Sequence, residues 1–319
     1  MHNMKQLVVS HSPFWHDGGS LASRHYNIML AALIPVVAGI LTYGKPALGV
    51  VSLAVSSAIL WELLMNKITR RPVSIGDGNA ALIGLLLAML MPATMPWWAV
   101  ITGTFVAVVI AKQIFGGLGA NPFNPALISV AILAVSWPMF FDFTYMLQAY
   151  VKPFNMAYPL WSAKYFGAAA AASFTPADLL LGRQAGGIGA TFGLGIIIGG
   201  VYLILRGYIR WEIVASFLVG IAVTALIFNM NNPDVYAGPV FHLLTGYTLI
   251  GAFYLATEDA SSPVNFIPML IYGVGGGVLT VLIRNIGLHV DGVVFAILMM
   301  NLINPLVDKI RPKAMGKVA

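Results

Sequence analysis

Ten apolar segments separated by short polar stretches govern what this chain can fold into. They run at about Asn27–Tyr43, Ala47–Met65, Ala80–Met91, Trp97–Phe115, Pro122–Trp137, Phe192–Leu205, Trp211–Phe228, Leu243–Ala256, Phe266–Ile283 and Val290–Leu306. Most approach the roughly 20 residues that a helix needs to cross the hydrocarbon of a bilayer. Only 9% of residues are charged and 59% are hydrophobic, where a soluble domain carries about a quarter charged residues. The expectation is an all-α integral membrane protein of about ten transmembrane helices.

The basic residues orient it. One set of connections carries Lys5, Arg24, Lys67, Arg70, Arg71, Lys112, Arg206, Arg210, Lys309, Arg311, Lys313 and Lys317. The other carries Lys45 and Arg284, with Lys152, Lys164 and Arg183 in a long connection that counts little. Both termini are therefore expected on the cytoplasmic side. The polar start Met1–Ser23 lacks the pattern of a cleaved signal and is expected to stay on the mature protein. The excess of basic residues is read as this orientation signal and not as a nucleic-acid surface. The absence of cysteine removes iron–sulfur, c-type haem, zinc-thiolate and disulfide chemistry together.

The two halves echo each other. Leu82-Ile83-Gly84 opens a short apolar stretch stopped by Pro92, and Leu249-Ile250-Gly251 opens another stopped by Glu258-Asp259 and Pro263. Asn121-Pro122-Phe123-Asn124-Pro125 is answered by Asn301-Leu302-Ile303-Asn304-Pro305. Five helices per half turns the second copy upside down, so two inverted repeats of five are expected, with a site where the broken helices meet. The organisation is then residues 1–137 for the tail and first repeat, 138–190 for an extracytoplasmic connection, and 191–319 for the second repeat and tail. Such an architecture serves a solute or ion carrier as readily as a redox subunit.

Several constellations are candidates for chemistry. Gly186, Gly187 and Gly189 lead to Thr191, which stands where a helix would begin. Its hydroxyl is expected either to cap that helix or to lie where backbone N–H groups favour a phosphate. Asn121 and Asn124 offer amide donors and acceptors suited to the edge of a flat heterocycle such as an isoalloxazine, and equally suited to capping and helix–helix bonding. Of the acidic groups, Asp259 is preferred over Glu258 as a site residue, with Glu258 read as a solvated helix-end carboxylate, and Asp77 precedes the first short helix. Gly275-Gly276-Gly277 is read as close helix packing. His242 and His289 share the outer side at helix ends, an arrangement unlike that of a bis-histidine haem. The aromatic residues of the long connection, from Trp137, Phe140 and Phe141 through Tyr145, Tyr150, Phe154, Tyr158, Trp161 and Tyr165 to Phe166, are read as an interfacial belt.

The Gly-Gly-Leu-Gly-x-Asn-x-x-Asn-Pro-Ala run at 116–126, the Gly189-Ala190-Thr191 element and the Ala256-Thr257-Glu258-Asp259-Ala260-Ser261-Ser262-Pro263-Val264 run together resemble one family. It is the family of the D subunit of the Rnf complex and the B subunit of the Na+-translocating NADH:quinone reductase, and the likeness covers nearly the whole chain. The resemblance implies that Thr191 carries FMN through a phosphoester, with Gly189, Ala190 and Arg183 around it; the serine two places before Ala190 in the family's element is Ile188 here. It also implies a non-covalent riboflavin at Asn121 and Asn124, with Phe123, Thr257 and Asp259 as further contacts. The implied role is electron transfer between ferredoxin and NAD, linked to Na+ or H+ movement across the bacterial inner membrane, with the flavin site at the outer face. The implied partners are the other Rnf subunits, namely A, B, C, E and G, and a flavin transferase. The carrier reading remains the alternative, for a small solute or for riboflavin itself.

Overall fold

The computed structural model describes residues 19–143 and 157–310. The expectations for the N-terminal tail and for Tyr145, Tyr150 and Phe154 fall outside these residues. The described residues are helical and include no strand.

Four helices are long and apolar enough to cross a membrane: α1 (Leu21–Tyr43), α2 (Lys45–Ile68), α10 (Trp211–Asn231) and α13 (Phe266–Asn285). Five shorter apolar helices accompany them: α3 (Asn79–Leu90), α4 (Trp97–Gln113), α5 (Pro125–Ser136), α9 (Gly193–Leu205) and α14 (Val293–Val307). The long connection adds α6 (Pro159–Phe166), α7 (Ala168–Ala172) and α8 (Pro176–Leu180). Next come α11 (Pro239–Leu244) and α12, which opens over Thr248–Ile250 and continues in π geometry over Gly251–Leu255. The apolar segment expected from Pro122 starts as a helix only at Pro125, because Asn124 caps it by accepting from the Ala126 and Leu127 N–H groups.

The end of the bundle that holds the start of α1 is the near end, and the opposite end is the far end. Helix α3 rises from the near end, where His25 Nδ1 meets the Asp77 carbonyl at 2.7 Å and the Asp77 carboxylate caps Asn79 N–H at 2.8 Å. Its twelve residues reach about 18 Å, well short of a roughly 30 Å hydrocarbon layer. Helix α12 enters from the far side and, over residues 248–255, is shorter still. Between them, the Tyr247 hydroxyl donates to the Leu90 carbonyl at 2.7 Å.

Small residues set the closest helix contacts, in line with the packing read from the sequence. Helices α10 and α13 pack through Gly220 and Gly273 to Gly277. A Cβ on Gly220 would stand 2.7 Å from the Val274 carbonyl, and one on Gly277 would stand 2.7 Å from the Ile221 nitrogen.

Lys112, expected in a polar connection, instead lies inside the bundle. The π-helical turns Val106–Gln113 at the end of α4 carry it inward, where Nζ donates to Glu62 Oε1 at 2.8 Å with each side chain 1% exposed. Ser74, just ahead of α3, donates to the same oxygen at 2.8 Å, so this buried pair pins the approach to the first broken helix. Lys112 therefore carries no weight in the orientation argument, which rests on the remaining basic residues.

Gly277→Ala is expected to force α10 and α13 apart and cost about 1–3 kcal/mol, read as a lower thermal unfolding midpoint. Gly49→Ala, at a glycine with nothing within 4 Å of the added Cβ, is the control and should leave the midpoint unchanged or raise it.

Candidate functional site

A helix that ends inside an apolar bundle leaves its last carbonyls without partners, and in hydrocarbon each such group is costly. The stretch 184–191 solves this for α3. It folds into the bundle from the far end, where Ile188 N–H donates to the Met91 carbonyl and Gly189 N–H to the Met89 carbonyl, both at 3.0 Å. Tyr247 supplies the third bond, to Leu90. A Cβ at Gly187 would lie 2.6 Å from the Met89 carbonyl oxygen, and one at Gly189 would run into the Met89 side chain. These glycines are therefore required for close approach. None of Gly186, Gly187 and Gly189 takes a positive φ, so it is their small size and not left-handed backbone that the fold uses.

Thr191 does not cap α9. The helix begins at Gly193 with Phe192 in the cap position and no side chain capping it. Gly193 N–H donates to the Thr191 carbonyl at 3.0 Å, a tight turn that leaves the threonine one residue ahead of the cap. Its hydroxyl makes no hydrogen bond among the described residues, although Thr191 is only 3% exposed. Thr191 and Ala190 line a closed seam with Phe143, Tyr158, Gln184, Gly246 and Tyr247. Gln184 Nε2 braces the seam, donating to the Leu179, Thr191 and Leu244 carbonyls.

Phe143, Tyr158 and Tyr247 also wall a neighbouring cavity of about 360 Å³, completed by Phe141, Trp161, Tyr165, His289, Asp291 and Phe295 among others. This volume and its aromatic lining suit a flat ring system. Phe141, Tyr158, Trp161 and Tyr165, expected in an interfacial belt, instead line this cavity. The aromatic density of the stretch preceding Thr191 was the signal for these four, whereas Tyr247 and Phe295 come from the second half of the chain and carry no such local signal.

Arg284 and Asp291 hold the start of α12. They pair at 2.9 Å and are 2% and 7% exposed. The Asp291 carboxylate accepts from Tyr247 N–H at 2.7 Å and Val293 N–H at 3.2 Å. Arg284 donates to the His242 and Thr245 carbonyls and to the Thr248 hydroxyl. Burial, and after it the Asp291 carboxylate, hold the Tyr158 phenol well above its ordinary pKa, so it stays a protonated hydrogen-bonding group. Gly246 is required here: it takes φ 63°, and a Cβ would collide with the Asp291 carboxylate.

Arg183 is not brought to Thr191. It pairs with Asp178 at 3.0 Å and faces another cavity with Ser162, Phe166 and Ser173.

The near-end residues form a second group. Asn121 Nδ2 donates to the Phe123 carbonyl at 3.0 Å and to Glu258 Oε1 at 3.2 Å. Asn124 Nδ2 donates to the Leu255 carbonyl at 3.1 Å, joining the start of α5 to the end of α12. Thr257 is buried and donates within its own helix to the Phe253 carbonyl. The preference for Asp259 over Glu258 is reversed. Glu258 is the inward carboxylate, bonded by Asn121 and by Ser261 through both N–H and hydroxyl. Asp259 is 54% exposed and pairs with Arg24 at 2.5 Å, because the chain turns outward after Glu258 towards the start of α1. Among the described residues, no cluster of three or more His, Asp or Glu side chains could hold a metal ion.

A bundle of apolar helices whose broken members meet in its interior defines the class: an all-helical membrane protein. Within that class, the chain belongs to the NQR2, RnfD, RnfE family, matching it over residues 8–316. It is 35% identical over 309 residues to the D subunit of the Na(+)-translocating ferredoxin:NAD(+) oxidoreductase complex of Acetobacterium woodii, covering 96% of this chain and 94% of that one. It is 34% identical to the D subunit of the proton-translocating ferredoxin:NAD(+) oxidoreductase complex of Clostridium ljungdahlii, over 95% and 94% of the two chains. Against the D subunit of the ion-translocating oxidoreductase complex of Cronobacter sakazakii the identity is 33%, over 97% and 98%.

Tyr247→Phe removes the donor to Leu90 and should cost about 1–3 kcal/mol of stability, seen in thermal unfolding of the full chain. His242 gives a pH signature. Burial, reinforced by Arg284, pushes its pKa from 6.5 down to about 3. The native state thus keeps it neutral while the unfolded chain protonates it, and the stability present above pH 6.5 is lost as pH falls from 6.5 towards 3, at up to about 1.4 kcal/mol per unit. His242→Gln should flatten this fall in a series of melting curves between those limits.

Proposed function

We propose that the chain is the D subunit of an Rnf-type ion-translocating electron-transport complex in the bacterial inner membrane, and that it carries FMN esterified to the Thr191 hydroxyl. The observation that carries this reading is a hydroxyl left uncommitted among the described residues: it neither caps α9 nor bonds a described neighbour, and its seam shares three aromatic walls with a cavity of ring-system size. The residues fit the group. Phe143, Tyr158 and Tyr247 present ring faces, and the buried phenols offer hydrogen bonds. FMN when bound supplies the electron-accepting chemistry, and the protein fixes its position and the polarity around it. Arg284 lies behind Gly246, its Nη2 3.1 Å from where a Cβ on that glycine would stand, and it replaces Arg183 as the counterion in the proposal. Because Thr191 is buried, a flavin transferase would act before the 184–191 stretch closes onto α3.

The relatives' names describe ferredoxin:NAD(+) oxidoreductase complexes, and we propose the same electron flow here, in company with the other Rnf subunits. Those names differ in the ion, sodium in one and proton in another, so the proposal extends to either. The matching broken helices and the two N-x-x-N-P runs support two inverted repeats of five, with both termini cytoplasmic and Thr191 at the outer face. A second, non-covalent riboflavin at Asn121 and Asn124 belongs to the proposal with a defined cost: it would have to displace the bonds to Glu258 and Leu255.

Denaturing electrophoresis tests the tether. Flavin fluorescence should stay with the band of the unmodified chain, persist in Thr191→Ser and disappear in Thr191→Val. A band without fluorescence, from a complex active in ferredoxin-dependent NAD reduction, would overturn covalent attachment and return the carrier reading to first place.

A further inference from the structure

Beside the Arg284–Asp291 pair, on the side away from Thr191, lies a second cavity of about 110 Å³ between α6, α11 and the end of α13. Its polar lining is Lys164, Tyr236, His242, Arg284 and Asn285. Among the described residues no acidic side chain lines it, and both oxygens of the nearby Asp291 are taken by Arg284, Tyr247 and Val293. The His242 side chain is 3% exposed, and neither ring nitrogen has a partner. Asn285 Nδ2 is likewise buried without a partner. Lys164 Nζ donates to the Gly287 and His289 carbonyls at 2.6 and 2.8 Å, which leaves one of its three protons free. Arg284 Nη1 donates only to the His242 carbonyl, so it too has a proton to spare.

Buried polar groups are almost always satisfied, and a cluster left short of acceptors marks a place where a ligand supplies them. Here donors outnumber acceptors, and two cations face one another across a space lined by no carboxylate. A metal cation is repelled, and an apolar guest would leave every donor unpaired. A tetrahedral oxyanion fits: it is small enough for the volume and offers acceptor oxygens in several directions, and charge-assisted bonds to such groups are the strong ones. We propose that this cavity is a binding site for a phosphate group, held by Lys164, Arg284, Asn285 and His242. It shares Arg284 with the proposed flavin site but is otherwise built from other residues, since Thr191 lines a different seam that Lys164, His242 and Asn285 do not reach. The cavity lies at the far end, beside the last residues of α13, so the phosphate comes either from solution or from the headgroup of an anionic phospholipid.

The two sources are separable on the full chain purified in its native assembly and exchanged into phosphate-free buffer. One arm titrates inorganic phosphate by calorimetry. The other reconstitutes the assembly in nanodiscs of phosphatidylglycerol mixed with phosphatidylcholine and counts retained phosphatidylglycerol by native mass spectrometry. One saturable site per chain is expected in one arm, weakened roughly tenfold or more by Lys164→Gln and by Asn285→Asp, and preserved in Lys164→Arg, which keeps the charge. Saturation in the calorimeter supports a soluble phosphate, and variant-sensitive retention in the nanodisc supports the lipid. The proposal fails if neither probe binds, or if Lys164→Gln and Asn285→Asp, melting as the unchanged chain does, bind as tightly as it does.

Discussion

A helix that stops inside hydrocarbon must have its terminal carbonyls met by something other than water, and this requirement organises the far half of the molecule. The end of α3 is met by the backbone of 184–191 and by the Tyr247 hydroxyl. That one junction ties the first half of the chain to the start of α12 in the second. It explains why the glycines before Thr191 are small, since Met89 and Leu90 fill the space a Cβ would need. It also explains why Thr191 is drawn one residue ahead of the cap of the helix it precedes, with its hydroxyl uncommitted among the described residues.

Each broken helix is approached through a buried ion pair. Glu62 and Lys112 hold Ser74 ahead of α3, and Arg284 and Asp291 hold Tyr247 ahead of α12. Both cations sit next to last on a helix, Lys112 on α4 and Arg284 on α13. A buried pair is seldom a net gain over well-packed apolar residues, but removing one partner strands the other charge. Such pairs specify one arrangement of the connection and make others expensive. Their cost is consistent with a role in holding the broken helices at a fixed position, where a cofactor's geometry would have to be kept.

Much of the candidate site was legible in advance. Gly186–Thr191 stood out by its run of small residues, and the Asn-x-x-Asn-Pro pairs by their repetition. Other parts were not. Asp259 and Glu258 are adjacent carboxylates with the same chemistry, and only the turn of the chain after α12 decides which points inward. Arg183 is close to Thr191 in sequence, yet Asp178 captures it. Arg284, distant in sequence, comes to the seam because α13 ends there. Lys112 reads as a connection charge until the wide π turns show it carried inward.

The order of apolar segments, the charge asymmetry of their connections and the glycine and proline breaks are local properties, and they suffice to specify an all-helical bundle with short helices at matching places. Partner choice is not local. Which carbonyl meets which N–H at a broken helix end, which aromatic residues turn in to line a cavity and which carboxylate faces an amide depend on contacts between residues far apart in the sequence. These were settled by the packing of the complete bundle, because in an apolar interior an unpaired polar group is costly and the helices must come to rest where each one finds its partner.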